Sequence, residues 1–202
     1  MNITYAQAIN LALTEEMKRN KNLVCFGLGV NDSLKFFGTT KGLKEKFGES
    51  RVFETPTSEN AMTGIGIGMS LYKNPCVMMH QRLDFFLLAM DQLVNSGAKW
   101  HYMFGGIKSV PITIRLVVGK GWGQGPTHSQ SLQSWFAHIP GLKVVMPSLP
   151  SDAYNLLKAS IRDPNPVIFI EHRWLHGSEE KSLIKKNINK QIGFSKLLSK
   201  GN

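Results

Sequence analysis

Residues 51–68 read RVFETPTSENAMTGIGIG. The stretch opens on an apolar run, Arg51 to Glu54, turns at Pro56, and passes into a helical pattern that starts near Ser58 and reaches Leu71. A strand delivered straight into a helix is the unit from which helix-covered sheets are built. Short apolar runs of the same kind recur at Leu23 to Leu28, Pro75 to His80, Ile112 to Val118, Lys143 to Met146 and Val167 to Glu171, with helical patterns between them. The expected fold is therefore α/β, three-layered, with a mostly parallel sheet of about six strands. At the chain start, Thr4 and Gln7 have capping-box spacing ahead of an apolar face made by Ala8, Ile9, Leu11, Ala12 and Met17. Further helices are expected from Phe86 to Ala98 and from Ser151 to Arg162.

With 202 residues, 42% hydrophobic and 19% charged, the chain suits one domain, expected over 1–178, followed by a basic linker over 179–202 towards a C-terminal domain that this sequence lacks. The formal charge is +10, yet Lys181, Lys185, Lys186, Lys190, Lys196 and Lys200 place six of those charges in the last 22 residues, which contain no acid. Such a run reads as a solvated linker rather than a nucleic-acid surface. No apolar segment approaches the roughly 20 residues needed to span a bilayer. The first twenty residues also lack a secretory signal pattern. Cys25 and Cys76 sit inside apolar runs and read as reduced core thiols of a cytoplasmic protein.

Three constellations could carry chemistry. Glu59 falls in the first turn of the helix after Pro56, with Gly64, Gly66 and Gly68 behind it. It either complements the helix dipole, with the glycines allowing close packing, or lines a site. His80-Gln-Arg-Leu-Asp-Phe-Phe86 follows a strand. This loop could wall a pocket for a flat heterocycle, or Phe85 and Phe86 could be core while Asp84 pairs with Arg82. In the third, Gly125-Pro-Thr-His-Ser-Gln130, a histidine ends a glycine-rich loop that cannot easily be helix or strand. His128 is either simply exposed or meets a substrate carboxylate or proton. No P-loop, no GxGxxG, no HExxH and no Gly-Asp-Gly followed by Asn occurs.

Taken in order, Lys41-Gly-Leu-Lys-Glu-Lys-Phe-Gly48, Thr55-Pro-Thr-Ser-Glu59, Asp91-Gln-Leu-Val-Asn-Ser-Gly-Ala-Lys99, Thr127-His-Ser-Gln130, Pro140-Gly-Leu-Lys-Val-Val-Met-Pro-Ser148 and Arg162-Asp-Pro-Asn-Pro-Val167 resemble the β subunits of thiamine-diphosphate-dependent 2-oxo-acid dehydrogenases, those acting on pyruvate, branched-chain 2-oxo acids and acetoin. The resemblance runs from about Thr4 to Glu171 and implies a transketolase-like pyrimidine-binding module. It implies that Glu59 hydrogen-bonds the cofactor's aminopyrimidine and favours the imino form that removes the thiazolium proton. Such a carboxyl must share a proton near neutrality, which burial by Phe85, Met62 and cofactor would favour and a helix N-terminus would oppose. Phe85 is implied to pack on the pyrimidine, with Leu28 and Gln81 also on the cofactor side, and His80 and His128 to face the substrate. A potassium site near Asp163 and Asn165 is implied too, built largely from carbonyl oxygens.

The resemblance further implies an α-type subunit that brings Mg²⁺ and the diphosphate site, a lipoyl acyltransferase as acyl acceptor, a homodimer or α₂β₂ heterotetramer, and no activity for this chain alone. At Leu28 the family commonly carries an acid; leucine cannot relay a proton, which leaves open the communication between the two active sites of a tetramer. Ketol transfer of the transketolase or deoxyxylulose-phosphate-synthase type, and a non-catalytic partner-binding module, are the alternatives on the same fold.

Overall fold

The computed structural model describes residues 2–181 and 192–193. Its centre is a six-stranded, wholly parallel sheet made from β2 (Val24–Gly27), β3 (Val52–Glu54), β4 (Cys76–His80), β5 (Ile112–Val118), β6 (Lys143–Val145) and β7 (Val167–His172), in the order β3-β2-β4-β5-β7-β6. Every predicted strand forms, within two residues of its expected ends.

Burial on both faces explains the near-continuous apolar runs. Along each strand the side chains alternate between two cores. Cys25, Val77, Val117 and Phe169 face α1 (Tyr5–Arg19) and α7 (Pro150–Arg162) through Ile9, Leu13, Leu157 and Ile161. Phe26, Met78, Ile114, Leu116 and Ile168 face α3 (Glu59–Leu71) and the helical segments after β4 through Met62, Ile67, Phe86 and Leu93.

The capping box is formed at the start of α1: Gln7 N–H donates to Thr4 Oγ1 at 3.1 Å and Thr4 N–H donates to Gln7 Oε1 at 2.9 Å. The helix expected from Phe86 to Ala98 differs. It begins earlier, as α4 (Leu83–Phe86), tightens to a 3₁₀ turn at Leu87–Ala89, widens to a π-turn at Gln92–Gly97, and restarts as α5 (Trp100–Met103). The wide turn, closed by Ala98 N–H on Leu93 O at 2.8 Å, lets Gly97 pass close to Ile67 of α3.

Two short helices, α2 (Leu43–Phe47) and α6 (Gln133–Ala137), were not foreseen. Nor was the antiparallel pair of β1 (Asn2–Thr4) with β8 (Glu179–Lys181), which puts Glu179–Lys181, expected as linker, into a sheet. The rest of that expected linker, 182–191 and 194–202, lies outside the described residues. Cys25 and Cys76 are free and buried, as the sequence implied.

Candidate active site

Parallel strands deliver their C-terminal ends to one edge of the sheet, where ligands of open α/β sheets bind. All three constellations lie along this edge, on the segments that follow β3, β4 and β5.

Glu59 opens α3, directly after Ser58 at the N-cap. It is 8% exposed, and its carboxylate takes no hydrogen bond or ion pair among the described residues. Met62, expected to shield it, is buried. Of the glycines behind Glu59, only Gly66 answers to tight packing: a Cβ there would lie 2.9 Å from Ile112 Cδ1 and 3.0 Å from Phe26 Cζ. Gly64 would make an ordinary contact with Gln92, and Gly68 faces open space.

The loops after β4 and β5 are knitted together. Phe85, 41% exposed, meets the His128 ring edge-on with centroids 5.0 Å apart. Asp84 does not pair with Arg82; its Oδ1 accepts from Gln130 N–H at 3.1 Å and Gln130 Nε2 at 2.9 Å. Asp84 is buried in the first turn of α4, so it serves as a bracket for the glycine loop. Arg82 instead stacks on Trp122, 4.4 Å from its ring, and hydrogen-bonds Gln124. Within the loop a short 3₁₀ turn, Pro126–His128, carries His128, which contacts Thr127 Oγ1 at 3.1 Å.

His80 ends β4 at 1% exposure against Phe86, and neither ring nitrogen has a partner among the described residues. Burial pushes its pKa down from 6.5 to about 4, so the ring is neutral near pH 7. Next to it, Gln81 Nε2 donates to Asp32 Oδ2 at 2.9 Å and packs on Gly29. Leu28 is half-buried against the Phe26 and Met78 core, with its N–H on Met79 O at 2.9 Å. The loop after β2 takes its carboxylate from β3, since Glu54 accepts from Gly29 N–H at 2.5 Å and Asn31 N–H at 2.8 Å. Asp163 and Asn165 lie at the opposite edge, before β7. There the Asp163 oxygens accept from Lys143 Nζ at 2.6 Å and from Asn165 N–H at 3.0 Å.

Sequence reasoning missed the ion pair beneath this edge. Arg115 and Glu171, both 0% exposed, are joined on the α1/α7 face by bonds of 2.6 and 2.9 Å. His176 contacts Glu171 Oε2 at 3.0 Å, and Arg115 also donates to Thr39 Oγ1 at 2.9 Å. Phe36 lies under the Arg115 guanidinium and Phe37 under Arg173. Lys35, Phe36 and Phe37 all hold φ between 46° and 57°, a left-handed run costing roughly 1 kcal/mol or more per residue. These contacts offset it. The available signal was one charge of opposite sign in each of two apolar strands, ITIRLVV and VIFIEH.

A family model described as "Transketolase, pyrimidine binding domain" matches residues 1–177. The chain is 43% identical over 171 residues to the 2-oxoisovalerate dehydrogenase subunit beta of Bacillus subtilis (strain 168), covering 85% of this chain and 52% of that protein. It is 41% identical over 175 residues to the pyruvate dehydrogenase E1 component subunit beta-1, mitochondrial, of Oryza sativa subsp. japonica, covering 87% and 47%. To the pyruvate dehydrogenase E1 component subunit beta of Rhizobium meliloti (strain 1021) it is 40% identical over 175 residues, covering 87% and 38%. The chain thus spans about half the length of the curated relatives it matches. Among solved structures it is similar, with a TM-score of 0.71 and 17% identity, to a "Split gene transketolase, inactive beta4 tetramer", covering 91% of this chain and 55% of that one; this likeness concerns the fold.

Proposed function

The chain belongs to the transketolase pyrimidine-binding-domain family, and on that premise we propose that it is a β-type half-site which presents Glu59 to the aminopyrimidine of thiamine diphosphate, for oxidative decarboxylation of a 2-oxo acid. The observation that carries this reading is the state of Glu59: a largely buried residue whose carboxylate acceptors are unfilled by the described residues, at a strand-to-helix turn on the ligand-binding edge. An open acceptor there suits a ring N–H, and the half-open ring of Phe85 suits a flat heterocycle. Thiamine diphosphate supplies, when bound, the electron sink on which a 2-oxo acid can lose CO₂.

This chain's own residues then have separate tasks. Glu59 holds a proton at the pyrimidine ring, Leu28 and Gln81 shape the cofactor side, and His128 and the neutral His80 face the substrate. The bracket from Asp84 to Gln130 keeps His128 in place. Diphosphate and Mg²⁺ fall to an α-type partner, because no Gly-Asp-Gly motif occurs here, and the acyl group passes to a lipoyl acyltransferase. We assign the assembly as a homodimer or α₂β₂ heterotetramer. A potassium site near Asp163 and Asn165 would be built largely from carbonyl oxygens, beside an Asp163 carboxylate that already accepts from Lys143 and Asn165. The buried free thiols support a reducing, cytoplasmic setting; no helix among the described residues is long and apolar enough to cross a membrane.

The test mixes the chain, alone and with its α-type partner, with thiamine diphosphate, Mg²⁺ and a panel of 2-oxo acids and ketol donors. CO₂ release is expected only from the mixture with a 2-oxo acid. Glu59→Gln should lower it about 10²- to 10⁴-fold, in the range of general acid–base groups, without moving the melting temperature. Undiminished turnover in Glu59→Gln would sink the assignment.

A further inference from the structure

The glycine loop and the strand-end loops leave a second set of groups that the reading above does not use. Arg82, Trp122 and Trp174 are in ring contact where β4, β5 and β7 end, and Arg173 precedes Trp174 in the chain. Arg82 stacks on Trp122 at 4.4 Å, Trp122 lies 5.8 Å from Trp174, and the neighbouring Arg173 stacks on Phe37 at 4.5 Å. Both residues are half-buried, and neither guanidinium has an ion-pair partner among the described residues. The Asp84 carboxylate acts on Arg82 by charge but turns its Oδ1 to Gln130. Arg82 Nη1 and Trp122 Nε1 are buried donors with nothing to donate to, whereas Trp174 Nε1 is satisfied by Lys120 O at 2.9 Å.

Unfilled donors, two guanidiniums without a direct ion pair and aromatic backing call for acceptor-rich negative charge. We propose that Arg82 and Arg173, walled by Trp122 and Trp174, form a subsite for a second anionic group, a phosphate ester or a second carboxylate, on the substrate of the half-site proposed above. A substrate with one carboxylate has none left for this subsite once that group meets the reacting end, whereas a dianionic substrate has a second; a carboxylate there answers one guanidinium and a phosphate ester can answer both. Burial pushes the Arg82 pKa down, Asp84 works against that, and Arg173 adds to it, so the two cations act on each other. The indole of Trp122 now covers the Arg82 donor. Glycines 119, 121, 123 and 125, all at φ between 73° and 145°, let the loop lift it.

The role rests on the half-site reading, but its test needs no cofactor. Inorganic phosphate, succinate and pyruvate are titrated into the full chain at fixed ionic strength, followed by tryptophan fluorescence and calorimetry. Saturable binding of phosphate or succinate is expected, about tenfold or more tighter than pyruvate. Preference for phosphate assigns a phosphate ester, and preference for succinate a dicarboxylic acid. Arg82→Gln and Arg173→Gln should each weaken binding about tenfold. Arg173→Lys, which keeps the charge, should retain part of it, and Trp122→Phe should lose the optical signal while keeping the heat. Absent saturation by either dianion, equal affinity for pyruvate, or undiminished binding in both glutamine variants would overturn the subsite. Because thiamine diphosphate is left out, a silent Glu59→Gln experiment and a silent titration fail separately.

Discussion

Glu171→Gln is the perturbation whose consequence can be worked out most fully. Burial alone would push this carboxyl up, but the charge of Arg115 and the hydrogen bonds from His176 and Arg115 hold it down from 4.5 to about 2. That displacement corresponds to roughly 3 kcal/mol of stability at neutral pH. An independent route gives the same scale, because removing one partner of a buried pair strands the other and costs about 3–5 kcal/mol. For a chain of this length the melting temperature should fall by roughly 10 °C. The sign with pH follows from the direction of the displacement. The stabilisation is complete above 4.5 and lost as pH falls through about 2, so the gap between parent and variant should close over that range. Urea unfolding followed by circular dichroism measures it, with Glu49→Gln as the control: that residue's pair with Lys44 is solvent-exposed and should leave the midpoint unmoved. Arg115→Met combined with Glu171→Met should recover part of the loss by removing the stranded charge. A deficit below about 1 kcal/mol for Glu171→Gln at pH 7.5 would refute the reasoning, since a pair worth so little behaves as a hydrated one.

Three further outcomes are expected. Thr4→Ala removes half of the capping box on α1 and should cost about 1 kcal/mol in the same urea assay, whereas Thr4→Ser should not. At Gly27, where φ is 134° and a Cβ would sit 2.3 Å from Met79 O, an alanine drives backbone into backbone. Gly27→Ala should therefore cost about 3 kcal/mol or more and expose β2 and β4 amides to hydrogen exchange. His80→Leu should not destabilise the chain at pH 7.5, since neither ring nitrogen has a partner to lose. Because burial depresses the His80 pKa to about 4, the unfolded chain protonates this ring before the folded one does, so His80 is neutral to stability above 6.5 and costs it roughly 3 kcal/mol as pH falls towards 4; the leucine variant should lack this loss between those limits.

Much of the frame was legible in the chain itself. Six apolar runs became the six parallel strands, Thr4 and Gln7 became a capping box, and Glu59 landed on the first turn of α3. These features depend on residues within a few positions of each other, where periodicity, caps and proline geometry act. What the sequence left open was which side chains meet across long separations. Asp84 could pair with nearby Arg82 or elsewhere; the loop after β5 folds back and gives it Gln130, 46 residues on. Arg115 and Glu171 stood out as charges in apolar strands, but only the β5–β7 register puts them on one face. The left-handed run at Lys35 to Phe37 has no local code at all, since isolated residues of those types avoid that conformation. It persists because Arg115, Arg173 and His176 pack against the rings it presents. Local propensity therefore determined the six strands, α1, α3 and α7, and the placement of Glu59. Burial of charge between distant strands decided how the segments at Phe36, Thr39 and His176 are held, because only the assembled interior makes an unpaired charge costly enough to select its partner.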